Sequence, residues 1–344
     1  MTASKRRLPV MADVAKEAGV SHQTVSRVLN DHPNVRADTR ARVEAAITRL
    51  GYRRNLVARA LVTKRSRTLG VVSFDTTLYG PASTVYGIEQ AARTAGYFVS
   101  IVSLKSIDAA SVRDAIDYLA EQGVDGVVVV APQRSAAQAL ESLPSGMPAV
   151  AVEGGSHRDD IPVVCIDQAE GARLATRHLL ELGHETVWHV SGPSDWLETE
   201  GRLAGWRTAL AEAGRPAPEP LTGDWSPRAG YEAGRSLAAM DGVTAVFAAN
   251  DQMALGVLRA LSEGGVRVPE QISVVGFDDI PESEFFSPPL TTVRQDFDVV
   301  GRHCIEVLLR QVEGGRGARG RLVVPPRLVV RSSTAPARGR SAGR

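Results

Sequence analysis

From residue 69 onward, short and continuously apolar runs alternate with longer amphipathic stretches, a pattern that leaves few folds open. The apolar runs fall at 69–74, 98–103, 126–131, 149–153, 163–166, 186–190, 245–248 and 272–276. The amphipathic stretches fall near 82–96, 110–122, 170–183, 199–214, 228–240, 251–265 and 296–313. A strand that is apolar throughout needs cover on both faces, and a parallel sheet wrapped by crossover helices supplies it. The expected fold class for this part is α/β, with doubly wound parallel sheets. Ligands of such sheets bind outside the carboxyl ends of the strands.

Ahead of this body lies a piece of opposite charge. Residues 1–67 hold 15 Lys and Arg against 5 Asp and Glu, a balance of +10. Residues 68–330 hold 21 basic and 34 acidic residues, a balance of −13, so the whole-chain value of +1 conceals two modules. A basic head on an acidic body suits a head that meets a polyanion. No apolar run approaches the ~18 residues of a membrane span, and no signal-peptide stretch follows the basic N-terminus. The expected location is the cytoplasm. Cys165 and Cys304 sit in apolar contexts without metal-ligand spacing, and read as buried free thiols.

Within the head, residues 11–30 read MADVAKEAGVSHQTVSRVLN. Val14, Ala15 and Ala18 fit one face of a short helix, and Gly19 can end it. Ser21 can cap a second helix with Val25, Val28 and Leu29 as its buried stripe. Two short helices around a tight turn form a helix-turn-helix. The second helix would then expose His22, Gln23, Ser26 and Arg27, in position for the major groove. Gln can bond adenine and Arg guanine in two-point fashion, while Ser21, Thr24, Ser26 and Asn30 suit phosphates. Residues 39–51 form a third helix with Val43, Ala46, Ile47 and Leu50 inward, so the head is all-α. The segment YRRNLVARALVTKRSR follows. Asn55 can cap a short helix in it, with apolar Leu56 and Leu61 among arginines and lysines. By composition this is equally a charged linker or a wedge for a minor groove.

The residues AEAGVSHQTVSRVLN and GYRRNLVARALVTKRSRTLGVV closely resemble the lactose repressor/galactose repressor family of bacterial transcription regulators. The resemblance implies base-reading by His22, Gln23 and Arg27. It also implies a hinge helix at 55–67 whose Leu61, flanked by Ala58 and Arg59, enters the central base step of a pseudo-palindromic operator. The family usually carries Pro where this chain has Arg54. In the body, SGPSD, RLAGW, GDWS, ANDQMALG, ISVVGFDD and PPLTTVRQDF resemble the family's effector-binding core. That core is similar to periplasmic sugar-binding proteins, with two lobes and three crossovers.

GDWS, ANDQMALG and PPLTT followed by QDF stand nearest the lactose branch of the family. By position, the resemblance assigns Glu153, Arg202, Trp225, Asn250, Asp278, Gln295 and Phe297 to the sugar pocket. Asp75 and Tyr79 stand in the first pocket loop, where they differ from that branch. Glu153 is one methylene longer than the branch's carboxylate, and Ile166 stands where its pocket phenylalanine is expected.

The implied domains are a helix-turn-helix at 1–54, a hinge at 55–67, a core at 68–331 and a disordered basic tail at 332–344. Lobe one comprises 68–166 and 293–320, and lobe two 167–292 and 321–331. The implied partners are operator DNA, a small sugar and a second copy of the chain. The tail lacks the leucine heptads of a tetramer. No cofactor or metal is expected. A transport binding protein would not need residues 1–67, and an enzyme would be expected to show a P-loop, an HExxH or a GxGxxG in strand-turn-helix context; the first two do not occur, and no GxGxxG stands clearly in that context. His184 reads as structural.

Overall fold

The computed structural model describes residues 9–53, 65–74, 77–104, 108–130, 132–135, 140, 143, 146–153, 161–315 and 320–337. The chain forms two units, 1–66 and 67–344.

The first unit holds α1 (Met11–Ala18), α2 (His22–Leu29) and α3 (Ala37–Leu50). Gly19 ends α1 in the left-handed region at φ 63°, which a residue with a Cβ adopts only with strain. Ser21 then caps α2, its Oγ accepting from the Thr24 N–H at 3.1 Å. The three apolar stripes meet in one core of Val14, Ala15, Ala18, Val25, Val28, Val43, Ala46 and Tyr52.

The second unit is two lobes, each built on a six-stranded sheet. In chain order its elements are β1 (Thr68–Phe74), α4 (Tyr79–Thr94), β2 (Phe98–Leu104), α5 (Ala109–Glu121), β3 (Gly126–Val130), β4 (Ala149–Val152) and β5 (Val163–Ile166). There follow α6 (Gln168–Glu181), β6 (Trp188–Ser191), α7 (Leu197–Glu212), β7 (Leu221–Thr222), α8 (Pro227–Ala238), β8 (Ala245–Ala248), α9 (Asp251–Glu263) and β9 (Ser273–Asp278). The chain closes with β10 (Thr291–Arg294), α10 (Phe297–Val312), β11 (Arg321–Val324) and β12 (Arg327–Val329).

Lobe one has strand order β11-β5-β4-β3-β1-β2, and every pairing in it is parallel. Lobe two has order β12-β10-β9-β8-β6-β7, with β12 alone antiparallel. The central strands are buried along their whole length, as their unbroken apolar sequence requires. In each sheet the order reverses between two strands, β1 and β3 in one and β6 and β8 in the other. These are the switch points where a crevice opens at the carboxyl ends.

The lobes join at three crossovers: β5 to α6, β10 to α10 and β11 to β12. Two of these lie a few residues later than the sequence reading put them. Thr291–Arg294 belongs to lobe two, and Arg321–Val324 to lobe one. The lobes also touch directly. The Leu197 N–H donates to the Pro132 carbonyl at 2.8 Å, and Arg134 pairs with Glu200 at 2.6 Å.

The reading of 332–344 as a disordered tail is corrected for its first residues. The Val274 N–H donates to the Ser333 carbonyl at 2.8 Å, and the Ala337 N–H to that of Leu182 at 2.8 Å. Ser333 is fully buried. Its Oγ accepts from the Thr291 N–H at 2.7 Å and donates to the Val274 carbonyl at 2.6 Å. Small polar residues can dock against strand ends through backbone and hydroxyl bonds together, which composition does not reveal. The short strands β7, β10, β11 and β12 escaped the reading for a related reason: two to four residues carry no period. Cys165 and Cys304 are buried and unpaired. His184 is structural as well, its ring nitrogens lying 3.0 Å from Thr244 Oγ1 and 3.1 Å from Ser273 Oγ.

Candidate functional sites

On α2 the buried and exposed faces separate cleanly. Val25 and Val28 point into the head core, while His22, Gln23 and Arg27 are exposed and Ser26 is half-buried beside them. Positions 22, 23, 26 and 27 recur at helical spacing and form one face. Ser21 and Thr24 are tied together, their hydroxyls 2.9 Å apart. Asn30 closes the helix, its amide donating to the Ser26 carbonyl at 2.9 Å. The head thus presents two amphoteric side chains and one guanidinium at the start of a helix. Asn55, Ala58, Arg59 and Leu61 lie outside the described residues.

In the second unit a cavity of about 260 Å³ opens at the lobe-two switch point and faces the start of α4. Tyr79, Arg202, Trp225, Asn250, Asp278 and Gln295 all line it. Segments far apart in sequence meet there because each follows the carboxyl end of a strand or begins a helix.

A closed polar ring forms its floor. The Gln168 amide donates to Gln295 Oε1 at 2.9 Å, and the Gln295 amide donates to Asp278 Oδ1 at 2.6 Å. Arg202 Nε–H donates to Gln168 Oε1 at 2.9 Å, and Nη2 lies 3.7 Å from Asp278 Oδ1. Arg202 also donates to the Ala249 carbonyl and lies 3.9 Å from the centre of the Phe277 ring. It is only 4% exposed, so its charge is held in a fixed place. Asn250 caps α9, accepting from the Met253 N–H at 2.8 Å and donating to the Trp225 carbonyl at 3.0 Å.

Trp225 stands at φ 72° and is 6% exposed. Its ring meets Trp196 edge-on at 5.4 Å, and its Nε1–H has no acceptor among the described residues. Gly192 makes room for it: a Cβ there would come within 2.2 Å of the indole.

Burial pushes the Asp278 carboxyl up to about 6, against Arg202 and the Gln295 amide. Burial also raises Glu198 to about 8, with help from the Glu153 and Asp278 carboxylates and against Arg202.

Two assigned pocket residues take other positions. Glu153 lies between the lobes but not on that cavity: its Oε1 accepts from the Ile166 N–H at 2.9 Å, and it lines a second cavity of about 220 Å³ with Cys165 and Arg321 of lobe one and Gln168, Leu197 and Gly201 of lobe two. Burial lifts it to about 7, against that N–H and Arg202. Phe297 packs in the lobe-one core and meets Tyr79 edge-on at 5.9 Å, backing that ring rather than lining the cavity. Asp75 lies outside the described residues.

The sequence reading passed over Leu78, Trp196, Glu198, Ser226 and Gln252, which also line the cavity. A usable signal existed for two of them. Trp196 and Glu198 follow β6 at a switch point, where side chains converge. Among the described residues no group of three or more His, Cys, Asp or Glu is placed to hold a metal, and no helix is long and apolar enough to cross a membrane.

Comparison with known proteins agrees with this two-part build. Residues 10–55 match the model of bacterial regulatory proteins of the lacI family, and 176–334 match that of a periplasmic binding protein-like domain. The chain is 36% identical over 328 residues to the lactose operon repressor of Escherichia coli (strain K12), covering 94% of this chain and 89% of that protein. The solved lac repressor dimer bound to operator and the anti-inducer ONPF superposes with a TM-score of 0.85 at 34% identity, over 96% of this chain and 100% of that one. A complex of the transcriptional regulator CelR with cellobiose gives 0.71 at 34% identity, over 94% and 99%. With a helix-turn-helix head, two doubly wound lobes and this degree of identity along nearly its whole length, the chain belongs to the lacI family of bacterial regulatory proteins, which are DNA-binding transcriptional repressors.

Proposed function

We propose that this repressor is controlled by a small sugar, of galactoside type, which enters the cleft and lowers operator affinity. One observation carries the reading: Arg202, Asn250, Asp278, Gln295, Trp225 and Tyr79 line a single cavity at the switch point. A fixed guanidinium, two amides and a carboxylate match the hydroxyls of a sugar, and an indole matches its C–H face. The likeness to the lactose operon repressor supports a galactoside, since lactose is one. In this reading His22, Gln23 and Arg27 read bases from a homodimer on a pseudo-palindromic operator. Asn55, Ala58, Arg59 and Leu61 act as a hinge in the minor groove, and Ser21, Thr24, Ser26 and Asn30 hold phosphates. The protein then works in the cytoplasm, where operator DNA is. Control requires that the sugar bind the DNA-free form more tightly than the DNA-bound form.

A β-linked glucose disaccharide is the second reading. It is favoured by the second tryptophan in the cleft, Trp196, and by the CelR–cellobiose likeness. The test is fluorescence anisotropy of labelled DNA from just upstream of the gene, titrated with galactosides, glucosides, cellobiose and purines. Release by a galactoside supports the first reading, and release by cellobiose alone the second. Tighter DNA binding on adding sugar would refute induction, and a response to purines alone would refute a sugar.

A further inference from the structure

We infer that the two lobes are fastened across the cleft by a backbone latch, residues 132–134 of lobe one paired with 195–197 of lobe two, and that Trp196 is the positioning residue that ties this latch to the ligand. The role of Trp196 rests on the sugar reading above; the latch does not.

The latch stands on the flank of the cleft away from the crossovers. Those leave from β5, β10 and β11, which lie at or next to one edge of each sheet. The latch follows β3 and β6, the fourth and fifth strands counted from that edge. There Gln133 and Trp196 pair as an antiparallel bridge. The Leu197 N–H donates to the Pro132 carbonyl at 2.8 Å, and the Arg134 N–H to the Asp195 carbonyl at 3.2 Å. Arg134 and Glu200 add an ion pair at 2.6 Å, but both are exposed, so the backbone bonds supply most of the hold. Leu197 opens α7, and the first N–H of a helix has no acceptor within it. That donor is turned to the other lobe.

Trp196 belongs to the latch and to the ligand site at once. Its backbone is the lobe-two half of the bridge, and its ring lines the cavity. The ring lies 6.3 Å from that of Phe74 in lobe one and meets Trp225 edge-on. Phe74 in turn packs against the cores of both lobes. Gln295, on the β10–α10 crossover, lines the same cavity. The cavity therefore reaches from a crossover to the latch, and its walls keep their spacing only while the latch is made. A sugar lying against Trp196 binds more tightly to the latched form and, by linkage, strengthens the latch.

Proline offers the probe. It has no N–H and fits the first position of a helix. Trp196, at φ −91° and ψ 130°, is extended, as suits a residue before proline. Leu197→Pro removes the bond to Pro132 and leaves α7 intact, while Leu197→Ala keeps the N–H and is its control. The first measurement is amide hydrogen exchange of the full-length protein without ligand. Leu197→Pro should speed exchange at Arg134 about tenfold, the loss expected of one backbone bond, and Leu197→Ala should not. Val128 and Phe247, inside the two sheets, should keep wild-type rates in both. An Arg134 rate unchanged by Leu197→Pro overturns the latch. So do wild-type Leu197 and Arg134 amides that exchange as fast as an open chain, whatever the variants do.

The second measurement adds methyl β-galactoside or cellobiose, whichever releases operator from wild type. Saturating sugar should slow exchange at Arg134. Trp196→Ala should abolish that slowing, and Trp196→Phe should restore it. Leu197→Pro should need about tenfold more sugar for operator release and bind operator as wild type does without sugar, a split that general misfolding would not give. Slowing that survives in Trp196→Ala overturns the role of Trp196, and an unchanged sugar requirement in Leu197→Pro overturns the coupling. If neither sugar releases operator from wild type, the sugar reading falls and the role of Trp196 with it, while exchange without ligand still decides the latch.

Discussion

Asp278 and Asp279 adjoin in the chain but serve opposite sides of lobe two. Asp278 faces the cleft and accepts from the Gln295 amide at 2.6 Å. Asp279 accepts from Arg331 at 2.7 Å, Ser283 Oγ at 3.1 Å, and Arg294 as well. Burial would raise the Asp279 carboxyl, but Arg331 and Arg294 outweigh it and hold the group below its ordinary value. Asp279 thus fastens β10 and the last residues of the core to the end of β9. Replacing it by Ala strands two guanidinium groups and should cost about 3–5 kcal/mol in urea unfolding. Asp278→Asn should leave the unfolding midpoint near that of wild type and weaken sugar binding about 10- to 100-fold, as expected for losing a charge-assisted bond. Equal destabilisation by both changes would contradict this division of labour.

Gly192 is expected to tolerate no side chain. Its Cβ would meet the Trp225 ring at 2.2 Å and Thr199 Oγ1 at 2.6 Å. Gly192→Ala should push the indole out of place and lower sugar affinity at least about tenfold, at a folding cost of about 1–3 kcal/mol. Tryptophan fluorescence quenching by ligand, measured beside urea unfolding, separates the two effects. Affinity unchanged from wild type would show that Trp225 does not contact the ligand.

Stability should fall as pH rises from 6.5 to 8. Glu153 and Glu198 titrate near about 7 and about 8 in the fold, both raised above an ordinary value of 4.5 by burial. In this window the folded chain holds protons that the unfolded chain has released, so rising pH favours unfolding. His189 works the other way: burial lowers it to about 4 from 6.5, so its contribution is confined to acid pH. The double variant Glu153→Gln/Glu198→Gln should flatten the decline between pH 6.5 and 8. An unchanged slope in urea unfolding at several pH values would count against these assignments.

The head makes a prediction about base reading. Arg27 is exposed on the outer face of α2 and makes no ion pair among the described residues. Arg27→Ala should weaken operator binding by about 1–3 kcal/mol and relax preference at one base pair, the loss expected of a two-point guanine contact. Binding should also fall steeply with salt, given the +10 charge of residues 1–67. If Arg27→Ala instead weakens all sequences alike and flattens the salt dependence, the side chain contacts phosphate.

What the sequence by itself determined were the features that depend on near neighbours. The apolar runs placed the central strands, and the amphipathic stretches placed the helices. The caps followed from local rules: Ser21, Asp167, Asn250 and Asp296 each accept from the backbone N–H three residues on. The head could be read almost completely, because its core is one stripe from each of three short helices. Only the tertiary structure decided which polar residues at strand ends share a cavity. Gln168 and Gln295 are 127 residues apart and bond side chain to side chain. Glu153, Asp278 and Asp279 all end strands but go respectively to a second cavity between the lobes, to the cleft and to the outer side of lobe two. Their fates are set by the strand register and by the partners that distant segments bring, neither of which any local pattern encodes. The same holds for Ser333, which is buried against the starts of β9 and β10 by its backbone and its hydroxyl together.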